Sequence, residues 1–187
     1  MIDLGWQPPT LTTGRLVIRP FTPADAEALY PAASNPNVTR YTLWSYHRSL
    51  EESRNFIISY ARTQYMQEVP EPLAICPIEN LSKILGADGC FWVAREHQSM
   101  ELGYWIAEEH WGKGYATEAA RALVTYVFEN YAVNRMQAHC VVENEPSTKV
   151  IERLGFQFEG VARSAVCLRG TFHDVKRYAV LKNEWKG

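Results

Sequence analysis

The sequence predicts an α/β fold in which a mixed sheet is covered by helices. Segments with the two-residue alternation of β-strands recur along the chain, and segments with the spacing of amphipathic helices lie between them. The clearest is a strand–turn–helix unit from Glu101 to Phe128, whose turn carries two glycines. The length of 187 residues fits one domain with a substantial core, so we expect residues 1–187 to form a single domain.

The first half of the chain predicts two helices among three strands. Leu16 and Ile18 alternate with their neighbours as in a strand, and Pro20 ends it. Thr22-Pro-Ala-Asp25 has proline at the first helical position, and Ser49-Leu-Glu-Glu52 resembles a capping box. The predicted elements are a strand over residues 16–20, a helix from Thr22 to about Ser34, an aromatic loop over Tyr41–His47, a helix from Ser49 to about Gln67, and strands over Leu73–Cys76 and Ile84–Ala94.

The second half continues the alternation of strands and helices. After the glycine-bearing turn, apolar residues recur at the i, i+3, i+4, i+7 spacing of one buried helix face. The predicted elements are strand Glu101–Ala107, turn Glu108–Ala116, helix Thr117–Phe128, strand Met136–Val142, a short helix after Asn144-Glu-Pro-Ser147, and Leu154-Gly-Phe156 behind it.

The turn before the helix has the chemistry of a phosphate site. The first N–H groups of a helix lack partners inside it, and the helix dipole favours an anion there. Gly112 and Gly114 allow positive φ and close approach to a ligand, Lys113 adds a cation, and small Ala116 and Thr117 keep the first turn open. The segment therefore suggests a long pyrophosphate-bearing cofactor such as a coenzyme A thioester. The alternative is a plain connection whose glycines serve only the turn.

Two other phosphate motifs are excluded. A P-loop requires Ser or Thr after Gly-Lys, and Gly112-Lys113 is followed by Gly114. The dinucleotide fingerprint requires a third glycine or alanine where this chain has Thr117, and an acid on the next strand, which has none before Glu143. Neither nucleotide-binding fold fits well.

Composition argues against several other classes of protein. The net charge of −2 argues against a nucleic-acid partner held by bulk charge. The N-terminus has no secretory pattern and no apolar run reaches membrane length, so we expect a cytoplasmic protein without a membrane partner. The 4 cysteines form no C-x-x-C and no histidine pair has metal spacing, so we expect reduced thiols and no metal. Paired disulfides are the alternative for the cysteines.

Several segments together resemble the GCN5-related N-acetyltransferase (GNAT) superfamily, and within it the ribosomal-protein N-acetyltransferase branch (RimJ/RimL-like). They are Glu101-Leu-Gly-Tyr-Trp105, Gly112-Lys-Gly-Tyr-Ala-Thr-Glu-Ala119, Asn144-x-x-Ser147 and Leu154-Gly-Phe156. Near the ends, Arg15-Leu-Val-Ile-Arg-Pro-Phe21 resembles the family's first strand, and Arg169-Gly-Thr-Phe-His-Asp-Val175 followed by Arg177-Tyr-Ala-Val-Leu181 resembles its closing hairpin. Each piece is short, but their order along nearly the whole chain is specific.

The resemblance implies the GNAT fold, with a central, mostly antiparallel sheet that is splayed at the cofactor site and flanked by helices. It also implies direct acetyl transfer from acetyl-CoA to a primary amine. A backbone N–H within Trp105–Ala107 is expected to bind the thioester oxygen, although core packing is the alternative for the Trp105 side chain. The residues expected to contact acetyl-CoA are Trp105, Ile106, Ala107, Trp111, Gly112, Lys113, Gly114, Tyr115, Ala116, Thr117, Asn144 and Ser147.

Two residues are expected to be catalytic. The resemblance implies a carboxylate base at Glu101, which can serve near neutral pH if burial raises its pKa, and a solvated glutamate is the alternative. Many family members carry a tyrosine, which protonates the thiolate, where this chain has Ile151. The resemblance assigns that role to Ser147, with a helix cap as the alternative. Two more departures are Trp111, in place of the usual Gln or Arg, and Val166, in place of an acid that some members carry.

The acceptor groove is expected among the first helices, their loop and the closing hairpin. Aromatic side chains there could pack a peptide or attract a cation, and an ordinary packed loop is the alternative. The candidate acceptor contacts are Tyr41, Trp44, Tyr46, Phe172 and His173. His110 and His139 are interpreted as structural.

Three functions remain open. The leading one is an N-acetyltransferase for the α-amine of a protein or peptide, similar to the ribosomal-protein-alanine acetyltransferases. The second acetylates a small amine such as a polyamine, an amino acid or an aminoglycoside, which a strongly acidic groove would favour. The third is a sensor that binds acyl-CoA without chemistry. The sequence is compatible with a monomer or a homodimer.

Overall fold

The computed structural model describes residues 6–187. The strands are β1 (Leu11–Thr12), β2 (Leu16–Pro20), β3 (Leu73–Pro77), β4 (Gly86–Ala94), β5 (Ser99–Ile106), β6 (Arg135–Val141), β7 (Gln157–Leu168) and β8 (Thr171–Leu181). The α-helices are α1 (Ala26–Ala33), α2 (Leu50–Asn55), α3 (Arg62–Met66), α4 (Tyr115–Asn130) and α5 (Glu145–Arg153). Short 3₁₀ segments at Pro23–Asp25 and Glu108–His110 precede α1 and the turn before α4.

The strands form one 8-stranded sheet in the order β1-β2-β3-β4-β5-β6-β8-β7. Neighbouring strands are antiparallel except β5 and β6, which run parallel. The β5–β6 ladder extends from the pair Ser99–Arg135 to the pair Glu101–Gln137 and ends there, so the two strands diverge over their remaining length. The predicted fold, a mostly antiparallel sheet with a splay and flanking helices, is confirmed.

The two faces of β5 meet different parts of the molecule. Alternation along a strand directs Leu102 and Tyr104 to one face and Glu101 and Trp105 to the other. The first, which we call the Tyr104 face, packs against α4, since Leu102 shares a buried cluster with the apolar side of that helix. The second, which we call the Glu101 face, packs against α1 and the helical segment that follows α2.

The helix predicted from Ser49 to about Gln67 forms, with a change of winding in its middle. The Ser49 hydroxyl caps it by accepting the Glu52 N–H at 3.3 Å. Six residues of π-helix, Phe56–Ala61, separate α2 from α3. This segment stacks the Phe56 ring on the Tyr60 ring, with 5.6 Å between the centroids. Both rings thereby lie along the Glu101 face of the sheet.

The segment predicted as the closing hairpin, Arg169–Leu181, does lie in a hairpin. The chain turns at Arg169-Gly170, and one continuous strand, β8, follows. The other strand is β7, which the sequence did not reveal, because two irregularities interrupt its pairing and most of its residues are exposed on both sides. Positive φ at Arg169 (49°) and Gly170 (85°) makes the tight turn.

The four cysteines are unpaired thiols, and Cys76, Cys90 and Cys140 are buried while Cys167 is exposed. Within residues 6–187, no helix combines the length and apolar character that a bilayer span requires. No cluster of histidine, cysteine or acidic side chains suited to a metal ion occurs in the same range.

Candidate active site

The turn between β5 and α4 depends on its two glycines. We call residues Trp111–Gly114 the glycine turn. Gly112 has φ 73° and Gly114 has φ 80°, within the left-handed region that other residues rarely adopt. A Cβ at Gly112 would meet no heavy atom within 4 Å, so this glycine meets a conformational need and leaves open space beside the backbone.

The first amides of α4 have no acceptor inside the helix. The N–H of Glu118 bonds back to the Gly114 carbonyl at 3.1 Å, so the N–H groups of Tyr115, Ala116 and Thr117 precede the helical ladder. The Thr117 hydroxyl is buried and has no hydrogen-bond partner in the described part of the chain. Free donors at a helix N-terminus fit the diphosphate of coenzyme A. The helix begins two residues before the predicted Thr117, directly after Gly114.

Two cations brace the glycine turn. The Lys113 ammonium donates to the Glu109 carbonyl at 2.9 Å and lies 3.4 Å from His110 Nδ1, so it folds back on its own turn. The Arg15 guanidinium donates to the Lys113 carbonyl at 3.0 Å and forms an ion pair of 2.5 Å with Glu118. Lys113 was predicted at this turn from the sequence, whereas Arg15, 98 residues earlier in the chain, was recognised only as the start of the first strand.

The end of β5 is closed by backbone and indole hydrogen bonds. The Trp111 Nε1–H donates to the Ile106 carbonyl at 2.6 Å. The Ala107 N–H donates to the Leu85 carbonyl at 2.8 Å. Of the segment Trp105–Ala107 that was predicted to supply an N–H to the thioester oxygen, Ala107 is therefore occupied. N–H groups alternate between the two edges of a strand, so that of Trp105 also faces β4, where it pairs with Ala87, and Ile106 is left. Trp111, one of the departures from the pattern of the resemblance, therefore secures the end of the strand.

A cavity of about 580 Å³ lies where β5 and β6 diverge, and we call it the splay cavity. Glu101, Trp105 and His139 line it from the Glu101 face. Tyr104 and Ser147 line it from the other face, where α5 begins. The cavity therefore brings both predicted catalytic residues to one space, with the gap in the sheet between them.

Glu101 is held by two neighbours on β6. Its Oε2 accepts from Gln137 Nε2 at 3.0 Å and lies 3.3 Å from His139 Nδ1. Burial opposes ionisation, but the contacts with His139 and Gln137 outweigh it and hold the pKa of Glu101 below its ordinary value. The condition set for Glu101 as a base near neutral pH, a pKa raised by burial, is not met, because of these two partners that the sequence did not reveal. Both contacts use Oε2.

Ser147 is not the cap of α5. Asn144 is the N-cap residue, and its Oδ1 accepts the Ser147 N–H at 3.3 Å. The Ser147 hydroxyl lies 2.9 Å from the Tyr104 hydroxyl, which is also 3.1 Å from the Ser147 carbonyl. Burial raises the pKa of Tyr104, so its phenol keeps its proton. Ile151, where many family members have tyrosine, lines the cavity as a buried wall.

The predicted acceptor contacts divide into two groups. Tyr41 and Trp44 line the splay cavity, and the Trp44 ring packs edge-on against Trp105 with 5.7 Å between centroids. Tyr46, Phe172 and His173 are not part of the cavity lining, so their contact with an acceptor stays a prediction. The hairpin still borders the loop after α1, since the Arg169 guanidinium donates to the carbonyls of residues 39 and 40 at 2.6 and 2.7 Å.

Sequence reasoning missed three residues of this site. His139, interpreted as structural, contacts Glu101, as does Gln137. Tyr104 supplies the phenol that position 151 lacks. The register of the parallel strands could have revealed Gln137, since it lies directly opposite Glu101. No local signal marks the hydroxyl contact between Tyr104 and Ser147, which lie 43 residues apart.

The arrangement can support acyl transfer to an amine. The helix N-terminus can hold an anionic donor beside the splay. The carboxylate–imidazole pair can take up a proton, and the phenol–hydroxyl pair can deliver one. These two pairs line the same cavity from opposite faces of the sheet.

Comparisons with known proteins agree with this geometry. The sequence matches the acetyltransferase (GNAT) domain over residues 15–157. It is 33% identical over 174 residues to "Uncharacterized N-acetyltransferase YoaA" of Bacillus subtilis (strain 168), covering 93% of this chain and 97% of that protein. "Putative ribosomal N-acetyltransferase YdaF" of the same organism is 46% identical over 91 residues, which are 49% of this chain and 50% of that protein.

Comparison of the three-dimensional structure with solved structures leads to the same family. A crystal structure described as "Probable acetyltransferase" is similar to this one, with a TM-score of 0.84 and 33% identity, covering 94% of this chain and 98% of that one. The domain match extends over more than half of the chain, and the YoaA relationship over nearly all of it. The chain therefore belongs to the GNAT family of acetyltransferases, enzymes whose acyl donor is acetyl-CoA.

Proposed function

We propose that this protein transfers the acetyl group of acetyl-CoA directly to a primary amine, with the α-amine of a protein or peptide as the leading acceptor class. The observation that carries the proposal is the splay cavity. It is lined by Glu101 from one face of the sheet and by Ser147 from the other. An acceptor on the Glu101 face and a thioester within the splay would meet there without a covalent enzyme intermediate.

The donor is assigned to the glycine turn and the splay. The free amides at Tyr115–Thr117 and the unpartnered Thr117 hydroxyl support a diphosphate site. Acetyl-CoA supplies an activated thioester and a thiolate leaving group. Asn144 and Ser147, at the start of α5, line the cavity where the extended arm of the donor would end.

Glu101 and His139 are assigned as a proton-accepting pair. An ammonium is not nucleophilic, so the acceptor must lose a proton before or during attack. A carboxylate whose pKa lies below its ordinary value is a weak base alone. Its contact with the His139 ring supports a shared role, in which the imidazole takes the proton and the negative charge of Glu101 stabilises the imidazolium.

Tyr104 and Ser147 are assigned to the leaving group. The phenol can donate to the Ser147 oxygen, and the serine hydroxyl can then donate to the departing thiolate. The cap role of Asn144 leaves the Ser147 hydroxyl available for this step. The backbone N–H of Ile106 is assigned to the thioester oxygen.

Different observations bear on each of the three candidate functions. The name of YdaF refers to ribosomal N-acetylation, and its similarity to this chain extends over about half of each protein. A small cationic amine is the second candidate, because the cavity lining contains acidic residues and no lysine or arginine. A sensor without chemistry is the third, and the paired contacts of Glu101 and Ser147 count against it.

Release of coenzyme A in the presence of an acceptor panel tests the proposal. The panel contains short peptides with free or blocked α-amines, together with small mono- and polyamines. We expect release with free α-amines and none with blocked peptides that lack other amines. Turnover restricted to small amines would select the second candidate. Tight acetyl-CoA binding with no turnover on any acceptor would contradict the proposal and favour the sensor.

A further inference from the structure

Glu71 lies on the Glu101 face of the sheet, just before β3. Its side chain covers Gly89 of β4, because a Cβ at position 89 would overlap the Cβ and Cγ of Glu71. Gly89 pairs directly with Gly103 of β5. The missing side chain at Gly89 therefore lets a carboxylate approach the sheet beside β5.

The Glu71 carboxylate has a hydroxyl partner and no cationic one. Oε1 accepts from the Tyr60 hydroxyl at 2.8 Å, and Tyr60 belongs to the π-helical segment. No lysine, arginine or histidine within residues 6–187 forms an ion pair with Glu71. Burial raises the pKa of Glu71, the Tyr60 hydroxyl opposes this shift, and the negative charge of Glu101 adds to it. A carboxylate in this position gains from a cation that the protein itself does not supply.

Open space separates Glu71 from Glu101. Gly103 lies between Glu101 and Trp105 on the same face of β5, and a Cβ there would meet only the Phe91 ring within 4 Å. Paired strands are about 5 Å apart, and alternate residues of a strand about 7 Å. The carboxylates of Glu71 and Glu101 therefore lie on either side of the open space over Gly103, at a separation that a small dication can bridge.

Glu71 also lies at the junction of two cavities. It lines the splay cavity and a neighbouring cavity of about 280 Å³, as do Tyr60 and Phe91. The splay cavity has no lysine or arginine in its lining, while aromatic rings suited to cations surround it. The smaller cavity carries Gln64, Gln67 and Arg95, whose polar groups can bond the remainder of an acceptor.

We propose that Glu71 binds a second positive charge of the acceptor, placed a few bonds from the amine that is acetylated. The inference rests on the proposed function, since it assigns the reacting amine to Glu101. The second charge can come from a small diamine or from a basic first residue of a peptide. Glu71 is a specificity residue in this scheme, and Tyr60 and Gly89 position it.

Two matched pairs of acceptors test the proposal. One pair is 1,4-diaminobutane and butylamine; the other is a peptide with N-terminal lysine and the same peptide with N-terminal norleucine, with the acetylated nitrogen located by mass spectrometry. We expect wild type to prefer the dication by about tenfold or more in kcat/KM, in at least one pair. Glu71→Gln should remove most of that preference, mainly through KM. Glu68→Gln, on the exposed surface nearby, is the control and should retain it.

Equal kcat/KM for both members of each pair, or an unchanged preference in Glu71→Gln, would overturn the proposal. Calorimetry of 1,4-diaminobutane and of the peptide with N-terminal lysine, each binding to the coenzyme A complex, tests it without catalysis, and Glu71→Gln should weaken the binding of at least one of them about tenfold. If no amine is acetylated, the proposed function fails, while this binding difference still decides the role of Glu71. If neither dication binds to the wild-type protein, the assignment of Glu71 is contradicted, while the proposed function is not.

Discussion

The glycine turn and the splay cavity are built on different principles. The turn is one contiguous segment, in which positive φ at Gly112 and Gly114 and free amides at the start of α4 create a site from backbone groups. The cavity gathers side chains from β4, β5, β6, α5 and the loops that flank the first helices. A backbone site tolerates changes in most side chains, whereas the cavity can change its acceptor by changing a few.

In the proposed function, the glycine turn therefore binds the donor, while the splay cavity selects and activates the acceptor. Substitutions in the turn should alter the affinity for acetyl-CoA and leave the chemical step intact. Substitutions in the cavity should alter turnover or acceptor preference and leave donor affinity intact. Four variants test this separation, and a fifth tests how the fold around the glycine turn is stabilised.

Glu101→Gln should have the largest effect. The amide cannot stabilise a protonated His139, so kcat should fall about 100-fold while the Kd for acetyl-CoA stays unchanged. Steady-state kinetics and calorimetry give the two values. Glu109→Gln is the matched control, because Glu109 lies in the turn with its side chain 74% exposed. Near wild-type turnover in Glu101→Gln would remove the residue from the proton-accepting role.

Gly114→Ala should have the second-largest effect. A side chain at φ 80° is strained, and the strain falls where the turn meets α4, so acetyl-CoA affinity should fall about tenfold. At saturating acetyl-CoA, kcat should stay close to wild type. Gly155→Ala imposes similar strain at φ 87° after α5 and should leave the affinity unchanged. Equal affinity losses in both variants would show that general destabilisation is responsible.

Ser147→Ala should lower kcat about tenfold through loss of the proton donor to the thiolate. Tyr104→Phe keeps the ring and removes the phenol, so a smaller loss in the same direction is expected. The separation between donor and acceptor regions predicts unchanged Kd for acetyl-CoA in both variants. A chemical step of wild-type rate in Ser147→Ala, measured in a single turnover, would exclude the serine as the acid.

Glu118→Gln should have the smallest effect, on stability rather than turnover. Burial raises the pKa of Glu118, but hydrogen bonds from Thr13 and Arg15 outweigh it and hold the pKa below the ordinary value of 4.5. The ionised form therefore stabilises the fold above that value, and the benefit is lost as pH falls through the folded pKa. We expect a loss of about 1 kcal/mol at pH 7 in denaturant unfolding. A difference from wild type that does not shrink in acid would contradict this account.

The sequence predicted the glycine turn better than the cavity. Gly112, Gly114 and the helix that follows lie within a few residues of each other, so local patterns carry the information. The sheet and its splay followed from the family resemblance and are confirmed. Strand β7 was missed because its bulges disrupt the two-residue alternation on which strand prediction depends.

The cavity could be predicted only in part. Glu101 and Ser147 were found by motif. The partners that decide their chemistry are distant in the chain: His139 lies 38 residues after Glu101, and Tyr104 lies 43 residues before Ser147. The pKa of Glu101 is lowered rather than raised for this reason, because burial was considered from the sequence and the contact with His139 was not. Glu71 gave no signal at all, since its position over Gly89 arises only when β3 and β4 pair.

A crystal structure of the complex with acetyl-CoA tests the central assignment most directly. We predict that the diphosphate accepts hydrogen bonds from the amides of Tyr115–Thr117 and that the sulfur lies in the splay cavity beside Ser147. The acetyl carbon should then face Glu101 across the gap between β5 and β6. A diphosphate bound elsewhere, or a thioester outside the splay cavity, would contradict the assignment of donor and acceptor to these two regions.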